Sequence, residues 1–298
     1  MNIRDLYYFK QLFLERNFTK VARFFKVSQP TITAAIQRLE KELDAPLVIR
    51  DQSHKDLIFT ESGRQFQAHV TQILQELKTA QLELTAIKQE KIRFGLPPII
   101  GSSFFPVLSA RLSEKNLLSH LDTREDGSKS LLNQLKNGQL DLALLSSTKP
   151  IKDPKLSVHL LARKQFKIIV SPSHPFARRG SLYFHDLKRE SFIQLNERFV
   201  HSIAFRELTE QAGIKPKLIY QTNDVQIIKG MVAGGVGISM LSEAALLPQD
   251  PVAALTLKDQ PQPEFLIQLV YRSNHLLTSL QQTMVELLMQ QSDIDQEN

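Results

Sequence analysis

The sequence predicts an α/β chain in two parts: an N-terminal winged helix-turn-helix, then one long helix leading to a larger domain of alternating strands and helices. Three observations carry this reading. Residues 18–39, FTKVARFFKVSQPTITAAIQRL, hold two short helical patterns around a capped turn. Residues 66–87 repeat apolar side chains in an unbroken heptad. From Lys91 onward, strand-like and helix-like runs alternate almost to the end of the chain.

Asn2 is placed to cap a first helix with the buried stripe Ile3, Leu6, Phe9, Leu12 and Phe13. The second helical pattern carries Val21, Ala22 and Phe25, and the third Ile32, Ala35, Ile36 and Leu39. Val21 to Phe25 and Ile32 to Ile36 have the i,i+4 spacing of a helical core face. Lys26-Val27-Ser28 breaks the rhythm between them. The Ser28 hydroxyl suits an N-cap, and Pro30 falls in the first turn, where no backbone donor is missed. Arg16, Lys20, Arg23, Lys26 and Arg38 lie in or beside this stretch, and no Asp or Glu falls between Arg16 and Leu39.

An ordinary αα-hairpin with a solvated basic face is the plainer reading. Small polar side chains opening the third helix, with acid excluded, favour a helix that enters the major groove of double-stranded DNA. On that reading Gln29, Thr31, Thr33 and Gln37 are candidate contacts to bases or phosphates, and Pro30 packs against a thymine methyl. Arg38 and Arg50 grip phosphates, which sets register and affinity without reading sequence. Thr19 and Ser28 complete the candidate DNA surface.

Asp44-Ala45-Pro46 ends the third helix. Two strand-like pieces, residues 47–50 and 57–59, flank the polar loop 51–56 and form a β-hairpin wing. Arg50, His54 and Lys55 would then reach phosphates or a minor groove; a solvated charged loop is the alternative. Thr60 caps a long helix to about residue 89. Phe66, Val70, Ile73, Leu77, Ala80, Leu84 and Ile87 repeat at spacings of 4-3-4-3-4-3. A helix of this length is roughly 45 Å long, and so strict a heptad needs a partner. It is therefore expected to dimerise the chain, unless it folds back on its own domain. The division expected is 1–59, 60–89 and 90–298.

In the third part, strands are expected at 92–96, 120–124, 140–145, 166–170, 192–195, 218–221, 237–241, 253–257 and 265–271. Helices are expected at 102–112, 129–137, 203–211, 225–233 and 275–289. Alternation of this kind predicts a largely parallel sheet. The length suits two smaller sheets with a cleft between them, and the polar tail 290–298 is expected to fray.

Composition narrows the classes. The 298 residues are 42% hydrophobic, enough for real cores, and contain no Cys, which excludes disulfides, thiolate metal sites and a Cys nucleophile. The opening MNIRDLYYFKQ lacks a signal-peptide core, and no apolar run approaches the roughly 20 residues of a membrane span. A cytoplasmic protein with no membrane association is expected. A net charge of +6 with a pI near 9.4 favours an anionic partner.

The N-terminal signature resembles that of the LysR-type transcriptional regulators. It comprises Phe18-Thr19-Lys20-Val21-Ala22, Val27-Ser28-Gln29-Pro30, Ile36, Arg38-Leu39-Glu40, Leu47, Arg50 and Phe59-Thr60-Glu61-Ser62-Gly63. Looser marks follow at Asn137-Gly138-Gln139-Leu140-Asp141-Leu142-Ala143, Ser173-His174-Pro175 and Val232-Ala233-Gly234-Gly235-Val236-Gly237-Ile238, so the likeness runs end to end. The resemblance implies a winged helix-turn-helix, a linker helix, and an effector domain of two α/β subdomains similar to periplasmic binding proteins. It also implies a small-molecule effector, contact with RNA polymerase, and a homodimer or homotetramer. One branch of the family is closer in its N-terminus and implies L-malate or a similar small dicarboxylate. Two departures stand out. Many relatives place an Arg shortly after the Ser/Thr of the recognition helix, where Ala34-Ala35 stand here. Val48 replaces a Phe usual in the wing.

The effector cleft of such a domain is expected beyond the carboxyl ends of the strands. Loops there carry the candidates Ser102, Ser103, Ser146, Thr148, Asn196, Arg198, His201 and Thr222. Ser102 and Ser103 are expected at a helix N-terminus, which suits a carboxylate, and Arg198 and His201 are expected to add charge. Taken singly, each Ser is better explained as a cap or a turn; taken together, at matching strand ends, the two readings are about even.

Other signals fall away. Ala233-Gly234-Gly235-Val236-Gly237 follows a helix and precedes a strand, the reverse of a dinucleotide loop. The eight His are scattered without metal-ligand spacing, no Gly-x-Ser-x-Gly elbow occurs, and no acid/base set can be assembled, so no catalytic residue, metal or cofactor is expected. Two other classes remain: a small-acid receptor, or an enzyme whose N-terminal helices serve assembly.

Overall fold

The structure, a computed structural model, describes residues 1–50 and 57–296. It divides into two compact units, Met1–Leu82 and Glu83–Asn298.

The first unit opens with three helices, α1 (Ile3–Glu15), α2 (Phe18–Phe25) and α3 (Gln29–Leu43). Each starts on a polar cap: Asn2 accepts from the Arg4 N–H at 2.9 Å, Asn17 from Lys20 at 3.0 Å and Ser28 from Thr31 at 3.3 Å. The turn after α2 closes with Lys26 in the left-handed region, φ 56°, while the Val27 N–H donates to the Ala22 carbonyl at 3.0 Å. This is a helix C-cap with Lys where Gly is commoner. Leu6, Phe9, Leu12, Val21, Ala22, Ile32, Ile36 and Leu39 form one core, against which Phe13, Phe25 and Val27 pack. Ile3, expected in the stripe of α1, is 49% exposed and is the first residue of that helix.

Strands β1 (Val48–Arg50) and β2 (Leu57–Phe59) pair antiparallel as the wing. Helix α4 (Glu61–Lys88) follows, and the Thr60 hydroxyl accepts from the Gly63 N–H at 2.9 Å. A Cβ at Gly63 would lie 2.1 Å from the Leu47 carbonyl oxygen, so the start of α4 passes against the wing only because this residue is Gly. The heptad of α4 divides. Val70 is buried and Phe66 packs in the core of the first unit, its ring tilted against Phe9 with centroids 5.2 Å apart. Ile73, Leu84 and Ile87 are exposed and Leu77 is half-buried.

The second unit has two lobes. The first contains β3 (Ile92–Leu96), β4 (Leu121–Glu125), β5 (Leu142–Ser147), β12 (Glu264–Arg272) and the opening part of β6 (Leu156–Val170). Its helices are α5 (Pro98–Ser103), α6 (Phe105–Glu114), α7 (Ser128–Lys136) and α10 (Ser279–Gln296). The second lobe contains β7 (Ser181–Leu182), β8 (Ser191–Leu195), β9 (Lys217–Thr222), β10 (Ser239–Ser242), β11 (Ala253–Leu257), α8 (Val200–Ala212) and α9 (Val225–Ala233). Strand β6 serves both: residues 156–165 pair with β12, and residues 166–170 pair with β10 and β11.

The expectation of a largely parallel sheet is corrected here. β3 is parallel to β4 and β5, β8 to β9, and β7 to β11, but β12 is antiparallel to β5 and β6, and β6 to β10 and β11. The chain leaves the first lobe along β6 and returns along β12, and two neighbouring passes in opposite senses pair antiparallel. Strand β6 also begins well before residue 166. Its opening stretch mixes Leu and Val with His159, Arg163, Lys164 and Gln165, which dilutes the apolar rhythm. Helix α10 continues into the tail expected to fray.

A buried ionic cluster braces the first lobe. Asp141 accepts from the Arg93 backbone N–H at 2.9 Å and from the Arg93 guanidinium, which also donates to the Gly138 carbonyl at 2.7 Å. Beside it Arg272 donates to the Leu140 carbonyl and, at 2.6 Å, to Glu83 near the end of α4. His275 Nδ1 lies 2.8 Å from the same Glu83 oxygen. Removing one member of a buried pair strands the other charge, at a cost of about 3–5 kcal/mol. Asp141→Ala is therefore expected to lower the unfolding free energy of the second unit by that amount, read as a lower urea midpoint of the full chain; an unchanged midpoint would show that Arg93 finds water instead.

Candidate functional sites

Helix α3 presents a continuous polar arc. Gln29 and Gln37 are exposed and Thr33 is half-buried between them, three residues on one i,i+4 row. Pro30 and Arg38 are exposed on the adjacent row, with half-buried Ala34 between them. The opposite side, Ile32, Ala35, Ile36 and Leu39, is wholly in the core. Thr31 is held to the cap, its hydroxyl 2.8 Å from that of Ser28. Arg38 pairs with the buried Asp5, its Nε and Nη2 donating at 3.0 and 2.7 Å, so two of its N–H groups are engaged within the unit. Thr19 is exposed on α2, and Arg50 ends β1. His54 and Lys55 lie outside the described residues.

In the second unit a small cavity of about 10 Å³ lies between the lobes. Pro97, Ile99, Gly127, Ser128, Ser146 and Phe265 line it from the first lobe, and Phe199, Val200 and His201 from the second. It sits past the carboxyl ends of β3, β4 and β8, with Ser146 at the end of β5. An adjoining open pocket of about 500 Å³ is lined by Asp126, Gly127, Lys129, Ser130, Asn133, Glu197 and Arg198, so its charges balance. The lobes touch at Gly127: a Cβ there would lie 2.8 Å from the Arg198 carbonyl oxygen. The Gly127 backbone, φ −66° and ψ 147°, suits any residue, so this contact alone calls for Gly.

Of the eight effector candidates, Ser146 and His201 meet in the cavity and Arg198 lines the adjoining pocket. Asn196 and Thr222 lie together beyond it, the Asn196 N–H donating to the Thr222 carbonyl at 3.0 Å. Ser102, Ser103 and Thr148 line neither space. The expectation that Ser102 and Ser103 open a helix is corrected: Pro98 starts α5 and both serines end it, donating to the Ile99 carbonyl at 3.1 and 2.9 Å. Ser128 was not among the candidates. Its Oγ is 2.9 Å from Ser146 Oγ and accepts from the Ser146 N–H at 2.9 Å. The strand-to-helix turn Asp126-Gly127-Ser128 was its signal in the sequence.

His201 also departs from expectation. It lies in the first turn of α8, not in a loop, and is 1% exposed. Its ring meets Phe166 edge-on, with centroids 5.3 Å apart, and Phe265 at 5.5 Å. Burial pushes its pKa down to about 3, so it is neutral and adds no charge to the cleft. The Ser242 N–H donates to Nε2 at 3.0 Å, whereas Nδ1 has no partner.

A winged helix-turn-helix followed by a two-lobed α/β domain with an interlobe cleft defines a ligand-responsive DNA-binding regulator. Residues 3–64 match the model of bacterial regulatory helix-turn-helix proteins of the lysR family, and residues 86–293 match the LysR substrate binding domain. The chain belongs to the LysR family of transcriptional regulators, which bind DNA and small-molecule effectors and form oligomers; it is not an enzyme. It is 34% identical, over 97% of its own length and 98% of the relative's, to the malolactic fermentation system transcriptional activator of Lactococcus lactis subsp. lactis. Activators of that kind are the branch its N-terminus resembles. Two solved structures share the fold. The effector binding domain of QuiR in complex with shikimate has a TM-score of 0.59 at 21% identity, covering 68% of this chain and 97% of that one. Full-length BenM has a TM-score of 0.56 at 22% identity, covering 99% and 98%. Among the described residues no helix is long and apolar enough to cross a membrane.

The neutral His201 has a stability consequence. Its folded pKa lies below the unfolded value of about 6.5, so the unfolded chain takes up the proton first as pH falls. The stabilisation is whole above about pH 6.5 and is lost progressively down to about pH 3, by an amount on the order of 5 kcal/mol. His201→Gln, which cannot titrate, is expected to lose less stability than the wild type between pH 7.5 and 5 in urea unfolding. Parallel losses would contradict the buried neutral imidazole.

Proposed function

We propose that the chain is a cytoplasmic LysR-type activator that binds operator DNA as a homodimer or homotetramer and responds to a small carboxylic acid, L-malate or a close dicarboxylate. Residues 1–59 are the reading head, 60–89 the linker and dimerisation helix, and 90–298 the effector domain. Gln29, Thr31, Thr33 and Gln37 read bases or phosphates, with Pro30 against a thymine methyl. Arg38, Arg50, His54 and Lys55 hold phosphates, flanked by Thr19 and Ser28. The exposure of Ile73, Leu84 and Ile87 on α4 supports a second copy across that part of the heptad, with Leu77 between them. Phe66 and Val70 serve the same helix from inside its own unit.

The effector closes the cleft, moves the lobes about β6 and β12, and through the assembly changes how two reading heads meet DNA and RNA polymerase. One observation carries the choice of acid: the likeness to the Lactococcus activator across 97% of the chain.

DNA fragments from upstream of the neighbouring genes test this in gel-shift titrations of the full chain at 50 and 200 mM salt, with and without L-malate. Binding is expected to weaken steeply with salt, as phosphate contacts require, and L-malate is expected to alter affinity or footprint. If no fragment is bound, the reading head is misassigned. If DNA binds and L-malate, succinate and L-lactate all leave it unchanged, the acid is wrong and the DNA reading stands.

A further inference from the structure

The inner cavity holds one chemical peculiarity that neither the core nor the reading head explains. Among the described residues, few buried side-chain atoms lack a hydrogen-bond partner, and one of them, His201 Nδ1, belongs to a residue lining the cavity. Its protonation is fixed by its neighbour. The Ser242 N–H donates to Nε2, so Nε2 carries no proton. In a neutral imidazole the proton is then on Nδ1, a donor without an acceptor. A buried donor left unsatisfied is expensive, and native proteins seldom keep one without a use.

A second donor is close by. Ser128 and Ser146 share one hydrogen bond between hydroxyls, and Ser128 Oγ also accepts from the Ser146 N–H. Whichever serine donates to the other, one hydroxyl proton remains to be offered. The rest of the lining, Pro97, Ile99, Val200 and Phe265 among it, supplies apolar wall and no cation. Lys129 and Arg198 stand in the outer pocket, where Asp126 and Glu197 offset them.

We propose that His201 determines effector specificity: its Nδ1–H, with the free hydroxyl of the Ser128–Ser146 pair, donates to a carboxylate or carbonyl oxygen of the bound acid. The inner site reads an acceptor oxygen through neutral donors. A ligand presenting only donors finds no acceptor at the imidazole, whose Nε2 lone pair is already engaged by the Ser242 N–H. At about 10 Å³ the closed cavity holds one water and nothing larger, so the acid enters with the lobes apart. This inference rests on the acid-effector reading above.

Two substitutions separate the two nitrogens. His201→Asn puts an amide donor where Nδ1 is and removes the acceptor of the Ser242 N–H. His201→Gln keeps an acceptor near Nε2 and removes the donor at Nδ1. Both are measured as full chains by calorimetry with L-malate, succinate and L-lactate, and by thermal unfolding. His201→Gln is expected to bind the responsive acid about 10- to 100-fold more weakly while keeping most of its stability. His201→Asn is expected to bind close to wild type while melting lower. That crossed order is one a purely structural histidine does not produce. Should both variants bind like the wild type, Nδ1 serves only a buried water and the proposal fails while the acid reading stands. Binding that falls in step with melting temperature in both variants overturns it equally. If the wild type binds none of the three acids, the acid reading fails and takes this proposal with it.

Discussion

A single strand belongs to two sheets. Residues 156–165 of β6 pair with β12 in the first lobe, and residues 166–170 pair with β10 and β11 in the second. The changeover falls between Gln165, opposite Glu264, and Phe166, opposite Ser242. Glu243 covers the seam: it accepts from the Gln165 N–H at 3.0 Å and pairs with Lys167 at 3.0 Å. The lobes are joined along β6 and by the return into β12. The cleft, its closing contact at Gly127 and the cavity around His201 follow from that constraint. The bond network of Arg93, Asp141, Arg272 and Glu83 ties β3, the start of β5, β12 and the end of α4 together in the first lobe.

The reading head was legible almost residue by residue, for a physical reason. Its elements are short, locally capped and amphipathic, so Asn2, Ser28, Pro30 and the i,i+4 pairs carry their own structure. Gly63, first noted only as a family mark, has its cause in the approach of α4 to the Leu47 carbonyl. The heptad was legible as a pattern but not as a partition. Nothing in a repeat says which members face the chain's own core, and the core of the first unit takes Phe66 and Val70 while Ile73, Leu84 and Ile87 stay outside.

The cleft was legible in outline only. Strand ends predicted where it lies, yet three serine and threonine candidates stand elsewhere. Pro98 moved the start of its helix ahead of Ser102 and Ser103, and Thr148 lines neither space. His201 was read as a charged loop residue because sequence shows neither burial nor the partner of each ring nitrogen. Both depend on Ser242, Phe166 and Phe265, which are distant in the chain. Ser128 had a local signal in its turn, but its bond to Ser146 is a product of the parallel packing of β3 between β4 and β5.

The account stands on one claim, that a ligand held between the lobes is felt by the helix that reads DNA. Hydrogen exchange of the full chain on a bound operator fragment, with and without L-malate, measures this directly. DNA is expected to slow exchange over residues 29–37, L-malate to slow it at residues 127–128 and 199–201, and the acid to change the protection that DNA confers. Protection by the acid anywhere but the cleft, or protection in the cleft that leaves the DNA-bound helix untouched, would contradict the account.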